Sequence, residues 1–430
     1  MARKVSRGRK WLTVFMGVIL SAFVVVLVLN LSIGDKKIDR VVPHLYGVED
    51  DQFLRSMGVL LGPSVLGGNR ATTLLNGDEI FPAMLEALRG ARRTITFEMY
   101  IYWSGTIGKA FADVLAERAR AGVKVHVLID GVGSGKLDDT LIREMEQAGV
   151  EIRRYNPPRF YTIGRLNNRT HRKLTVVDGA LGFTGGVGIA DQWTGTAQDP
   201  EHWRDTHYRI EGPVVAQMQS AFMDNWTEVT GHVLHGEAYF PPLKAVGPER
   251  AQIFTSSPGG GSDSMQLMYL LSIAAARRSI DLSAAYFVPD DVEVNTLVEA
   301  MKRGVRLRII VPGPVTDSEV VRRASRSTWG RLLEAGAEIR EYQPTMFHCK
   351  VMVVDGLWTS VGSTNFDNRS FAVNDEANLN VYDRDFARVQ ARVFEDDFKR
   401  SRRVSLEEWR NRPWREKAWE YAMGLLGSQL

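Results

Sequence analysis

"HRKLTVVDGALGFTGG" occupies residues 171–186, and "HCKVMVVDGLWTSVGS" occupies residues 348–363. In both, a lysine follows the histidine by two positions and an aspartate follows it by seven. Each copy then has Asp-Gly and closes on two small residues, Gly185-Gly186 or Gly362-Ser363. Residues two apart on a strand share a face, so His171 points with Lys173 and His348 with Lys350. Asp178 and Asp355 have the opposite parity and open an Asp-Gly hairpin signal, which makes each a supporting rather than a reacting group. The hairpin brings the small pair, with Gly186 or Ser363 last, back toward the histidine. A backbone without bulk there admits an anionic group. Asn365 follows the second copy and offers an amide donor, whereas Gly188 holds that place in the first.

The duplication extends beyond these motifs. "ARRTITFEMYIY" (91–102) resembles "ARRSIDLSAAYF" (276–287), and "AGVKVHVLID" (121–130) resembles "RGVRLRIIVP" (303–312). Order is kept while spacing drifts, as when loops vary and elements persist. "TITFEMYIY" and "VKVHVLID" are rich in β-branched and aromatic residues and predict strands. Residues 107–122 have helical apolar spacing and end in glycine, and "NTLVEAMKRG" repeats that pattern. Strand–helix–strand order predicts an α/β fold with a largely parallel sheet covered by helices. "SSPGGGSDS" (256–264) reads as a junction loop.

Two imidazoles and two ammonium groups suit phosphodiester chemistry. The lysines offset phosphate charge, one histidine attacks phosphorus, and the other protonates the leaving oxygen. No metal or cofactor is implied. His44, His126, His202, His207, His232 and His235 lack H-E-x-x-H or cysteine-rich spacing. "GVGSGK" (131–136) fails as a nucleotide loop, because Asp130 and Leu137 hold the required Gly and Ser/Thr places. Burying two lysines at matched positions without a purpose would be costly, which argues against a purely structural role.

The 430 residues are 44% apolar and 24% charged, enough for a sizeable core in two similar lobes. A net charge of +3 does not argue for a nucleic-acid partner. Cys349 is the single cysteine, which excludes an intrachain disulfide, and its parity predicts a buried small side chain. Residues 11–33 carry no charge over 23 positions. A helix of that length spans about 34 Å, enough for a bilayer core. The preceding "MARKVSRGRK" favours a cytoplasmic N-terminus and an outer-face body, although Lys36, Lys37 and Arg40 oppose that orientation. No A-x-A cleavage site suggests a signal peptide. Residues 1–40 are therefore expected to form a basic end and one transmembrane helix, 41–67 a linker, 68–245 and 246–402 the lobes, and 403–430 an amphipathic tail. Trp409, Trp414, Trp419 and Tyr421 among arginines suit a membrane boundary or a helix packed on the body.

His-x-Lys-x4-Asp with a trailing small pair, written twice, resembles the phospholipase D superfamily over most of 68–402. The resemblance implies two lobes with mixed sheets flanked by helices, a site on their pseudo-twofold and a phosphohistidine intermediate. It also implies an acidic residue after each motif that orients the histidine, and Asp205 and Glu376 occupy those places. By the common family pattern His171 is the nucleophile and His348 the general acid. Together with the N-terminal segment, "GSTNFDNRSF" and the tail are similar to bacterial cardiolipin synthases. That likeness implies phosphatidyl transfer between two phosphatidylglycerol molecules at a membrane, with glycerol released. A hydrolase acting on phospholipid or nucleic acid, and an inactive membrane scaffold, are the competing readings.

Overall fold

The computed structural model describes residues 7–31, 38, 40–157, 168–257 and 265–424. It begins with α1 (Arg7–Leu31) and α2 (Asp51–Leu60). The first lobe follows as β1 (Leu66–Leu75), α3 (Asn76–Arg89), β2 (Thr94–Met99), α4 (Thr106–Arg120), β3 (Lys124–Asp130), α5 (Asp139–Gln147) and β4 (Glu151–Tyr155). It closes with β5 (Lys173–Val177), β6 (Leu181–Gly185), β7 (Thr206–Glu211) and α6 (Val215–Thr230). The second lobe repeats the plan as β8 (Glu249–Ser256), α7 (Met265–Ala274), β9 (Ser279–Ala284), β10 (Phe287–Val288), α8 (Asp291–Lys302), β11 (Arg306–Pro312), α9 (Glu319–Glu334) and β12 (Glu338–Tyr342). Then come β13 (Lys350–Val354), β14 (Trp358–Gly362), β15 (Phe366–Asp367), α10 (Asn368–Ala372), β16 (Glu376–Tyr382) and α11 (Arg384–Lys399). The chain continues into β17 (Ser401–Val404), α12 (Leu406–Asn411) and α13 (Trp414–Gly424).

Both lobes contribute to one sheet, ordered β17-β12-β11-β9-β13-β14-β16-β8-β1-β7-β6-β5-β2-β3-β4. Apart from the extra edge strand β17, the order reads the same outward from the antiparallel β1–β8 seam, which is the internal duplication expressed as a pseudo-twofold. The expected largely parallel sheet is corrected. Within this sheet the parallel pairs are those of β2-β3-β4 and β9-β11-β12, where a crossover helix joins each strand to the neighbour it pairs with. The hairpins β5–β6 and β13–β14 and their flanking pairs are antiparallel. The inner strand β2 is buried along its whole length, as a strand covered on both faces must be.

Each lobe has its own core, but a third core belongs to both. Leu174, Val176, Ile210 and Met218 of the first half pack there with Ile253, Val351, Val361 and Leu379 of the second. The segment expected as a linker contributes as well. Phe53 and Met57 of α2 are buried in the second-lobe core beside Ile280 and Trp358. The junction expected at 256–264 begins at the end of β8, and 258–264 lie outside the described residues.

In α1 the described side chains, 11–25, are exposed, and the rest of the charge-free run lies outside them. Among the described residues no helix is long and apolar enough to cross a membrane, so the expected transmembrane helix is not shown. The tail packs on the body. Trp409 donates its indole N–H to the Arg326 carbonyl at 2.8 Å, and buried Glu420 accepts from Arg326 at 2.8 Å and Arg412 at 2.5 Å. Trp414, Trp419 and Tyr421 remain exposed.

Candidate active site

Both motif histidines lie just ahead of a central strand, each fixed by the other lobe's backbone. The His171 N–H donates to the Asp375 carbonyl and the His348 N–H to the Arg204 carbonyl, each at 2.8 Å. Lys173 Nζ donates to the His171 carbonyl and Lys350 Nζ to the His348 carbonyl, also at 2.8 Å. The shared parity of each His-x-Lys pair thus becomes a local bond. All four side chains are buried.

The acids lie where expected in sequence, but they serve across the lobes. His171 Nδ1 lies 2.9 Å from Glu376 Oε1, and His348 Nδ1 lies 2.7 Å from Asp205 Oδ2. The bridges Thr170–Asp375 and Phe347–Arg204 force this crossing by setting each histidine beside the opposite acid. Buried Arg204 clamps the same junction, binding Asp397 of α11 through Nε and Nη2, both at 2.9 Å.

Each carboxylate has further support. Ser363 Oγ donates to Glu376 Oε2 at 2.5 Å. Asp205 Oδ2 accepts the Trp193 indole N–H at 3.0 Å, and Oδ1 accepts the Thr206 N–H at 2.8 Å. A Cβ on Gly186 would fall 2.2 Å from Asp205 Oδ1. The closing glycine of the first motif therefore makes room for a carboxylate of the protein itself. Asn365 is buried with Oδ1 lacking a protein partner, and Gly188 packs against Ile101.

Asp178 and Asp355 lie at the far ends of the hairpins. Their φ angles are 52° and 54°, and Gly179 and Gly356 follow with φ of 66° and 62°, as an Asp-Gly hairpin turn requires. Asp355 accepts backbone N–H bonds from Arg277, Arg278 and Ser279 at 2.7–2.8 Å. Asp178 does the same for Arg92, Arg93 and Thr94. Substituting Asp355 by alanine leaves three donors without that carboxylate. The expected result is a loss of about 2–4 kcal/mol of stability, read by denaturant unfolding, with little change in turnover per folded molecule. A large loss of turnover at unchanged stability would contradict this supporting role.

Burial dominates the electrostatics. It pushes His171 down to about 4, against the opposing pull of Glu376, and Lys173 adds to the lowering. His348 is lowered by burial and by Lys350. Burial also brings Lys173 down to about 7 and lowers Lys350. Burial works against ionising Asp205 and Glu376, but their histidines and the lysines outweigh it and hold both below the usual range. His171 is therefore neutral near pH 7, and Glu376 holds its Nδ1–H, which leaves the Nε2 lone pair for attack. Asp205 holds Nδ1 of His348, so any proton that His348 gives or takes is at Nε2.

Sequence reasoning missed the aromatic walls. The Tyr100 ring centroid is 4.9 Å from that of His171, and those of Trp193 and Trp203 are 5.3 and 5.6 Å from that of His348. The signal was a tryptophan two places before Asp205. Buried Cys349 packs beside Phe347 and Phe394, as its parity predicts. Among the described residues no group of His, Cys, Asp or Glu is arranged to hold a metal ion.

A two-lobed α/β body with paired His-x-Lys motifs at its pseudo-twofold is the phospholipase D class. The chain matches the family described as "Cardiolipin synthase, PLD-like domain" over residues 84–226 and 269–398. It is 36% identical over 365 residues to the cardiolipin synthase of Geobacillus kaustophilus, covering 84% of this chain and 72% of that one. It is also 36% identical over 344 residues to cardiolipin synthase 2 of Bacillus anthracis, covering 79% of this chain and 66% of that one. The crystal structure of phosphatidylserine synthase from Haemophilus influenzae Rd KW20 superimposes with a TM-score of 0.68 at 14% identity, over 89% of this chain and all of that one, a likeness of fold. The chain belongs to the cardiolipin synthase family of the phospholipase D superfamily. As a member it is a phosphatidyltransferase, an enzyme that acts on phospholipid.

Proposed function

We propose that the enzyme moves a phosphatidyl group from one phosphatidylglycerol to another and releases glycerol, with His171 as nucleophile and His348 as general acid and then base. The pair of buried imidazoles, each oriented at Nδ1 by a carboxylate of the other lobe and each beside a lysine, carries this reading. In the first step His171 Nε2 bonds to phosphorus while the P–O bond to glycerol breaks, and His348, protonated at the start of the step, gives that oxygen its Nε2 proton and is left neutral. In the second, the acceptor hydroxyl returns a proton to His348, its oxygen bonds to phosphorus, and the P–N bond breaks. Lys173, Lys350 and Asn365 offset or bind the phosphate oxygens. Incubation with phosphatidylglycerol and lipid chromatography test the reading. Cardiolipin with glycerol supports it, phosphatidic acid alone favours the hydrolase, and no turnover favours the scaffold.

The buried lysine sets a pH limit. Lys173 is charged below its pKa of about 7 and neutral above it, so its charge for an incoming phosphate is present below that pH and lost above. We expect kcat/KM to fall above about pH 7. The fall in kcat lies at higher pH, because bound phosphate raises the lysine. A kcat/KM profile flat to pH 9 on a dispersed short-chain substrate would exclude this.

The charge-free run of α1 supports a single N-terminal anchor with the body on the outer face, and exposed Trp414, Trp419 and Tyr421 support a second, weaker contact. Deleting residues 1–33 should release much of the enzyme from membranes in flotation assays and leave a folded body with residual affinity. If further removal of 411–430 leaves it wholly bound, these are not the contacts.

A further inference from the structure

The first lobe opens a cleft of about 560 Å³, within the usual range for small-ligand pockets, and one of its walls, Trp203, lies against His348. Trp103 and Trp203 form its ring walls, and Lys136, Asp191, Gln192 and Glu201 supply charge and hydrogen-bonding groups. Trp203 links it to the chemistry, since its ring lies 4.6 Å from Trp193 and 5.6 Å from His348. Trp193 in turn holds Asp205, the acid that orients His348. Lys136 comes from the "GVGSGK" loop that fails as a nucleotide site. Its Nζ lies 3.9 Å from the Trp103 ring centre, and the Trp103 indole N–H donates to the Gly133 carbonyl at 2.8 Å. Asp130 Oδ1 accepts the Val132 and Gly133 N–H groups and fixes the loop from within.

The cleft breaks the pseudo-twofold. Trp203 stands two places before Asp205, but Asn374 stands two places before Glu376. The chemistry of its walls suits a charged polyol better than an acyl chain. Carboxylates and an amide accept or donate to hydroxyls, indole faces cover C–H groups, and an ammonium meets a phosphate.

We propose that this cleft is the alcohol subsite, holding the glycerol that leaves in the first step and the phosphoglycerol headgroup of the acceptor lipid in the second. The inference rests on phosphatidyl transfer as read above. In each step the proton passes between His348 and the glycerol oxygen seated there, while the P–N bond to His171 forms or breaks. Glu201 and Gln192 hold the free hydroxyls, and Lys136 holds the acceptor's own phosphate. The acceptor then occupies the space from which water would attack.

The test uses the full chain in phosphatidylglycerol vesicles, with Lys136→Ala and Glu201→Gln variants. The ratio of cardiolipin to phosphatidic acid should fall about tenfold in each, the effect of one lost hydrogen bond to a charged group. The burst of nitrophenol from an activated nitrophenyl phosphodiester, which needs no glycerol, should be unchanged. With free glycerol as competing acceptor, Glu201→Gln should lose efficiency and Lys136→Ala should not. An unchanged product ratio in both variants, with wild type making cardiolipin, overturns the subsite. Loss of the burst in both also overturns it, since the residues would then act on the first chemical step. A wild type that makes only phosphatidic acid overturns instead the transfer reading on which the subsite rests.

Discussion

Replacing His348 by alanine lowers turnover of phosphatidylglycerol by about 10²–10⁴-fold but leaves a burst with an activated nitrophenyl phosphodiester. The glycerol alkoxide is a poor leaving group and needs a proton, whereas nitrophenolate leaves without one. The nucleophile is needed in both cases, so His171→Ala is inactive with either substrate. The His348→Ala burst leaves a phosphatidyl group on His171, found by mass spectrometry of an acid-free digest. If the label sits on His348, and His171→Ala keeps the burst, the roles are exchanged.

The crossed pairing yields an equally large effect. Glu376→Gln removes the charge that holds the Nδ1–H of His171, 2.9 Å away, and spoils the tautomer of the nucleophile. Its burst rate should fall on the order of 10⁴-fold with both substrates, the scale seen when an orienting carboxylate is made neutral. Asp205→Asn instead disturbs His348, 2.7 Å away, and should behave like His348→Ala, slow on phosphatidylglycerol with its burst retained. If each acid served the histidine of its own motif, these outcomes would be reversed. The two variants thus test a contact that spans the lobes.

Much of this site was legible from residues 171–186 and 348–363. Their repetition implied two lobes, their parity placed each lysine with its histidine, and Asp-Gly marked the hairpins. These are local features, and a strand or turn states them within a few residues. Asp178 and Asp355 were separable from the chemistry on the same grounds, and each proves to cap a run of backbone donors. The unbroken sheet was not legible. Repeated β–α–β order suggested more parallel pairing than exists, because a sequence does not state which partner a hairpin strand takes on its outer edge.

The sequence by itself determined the duplicated α/β architecture, the paired His-x-Lys groups and the class of chemistry they serve. Tertiary structure alone decided that Glu376 orients His171 and Asp205 orients His348, because short bridges at Thr170 and Phe347 join segments remote along the chain. It also decided that Gly186 clears space for Asp205, that α2 belongs to the second core, and that Trp203 both lies against His348 and walls a cleft. Each depends on packing between distant elements, which leaves no periodic trace in the residues that make it.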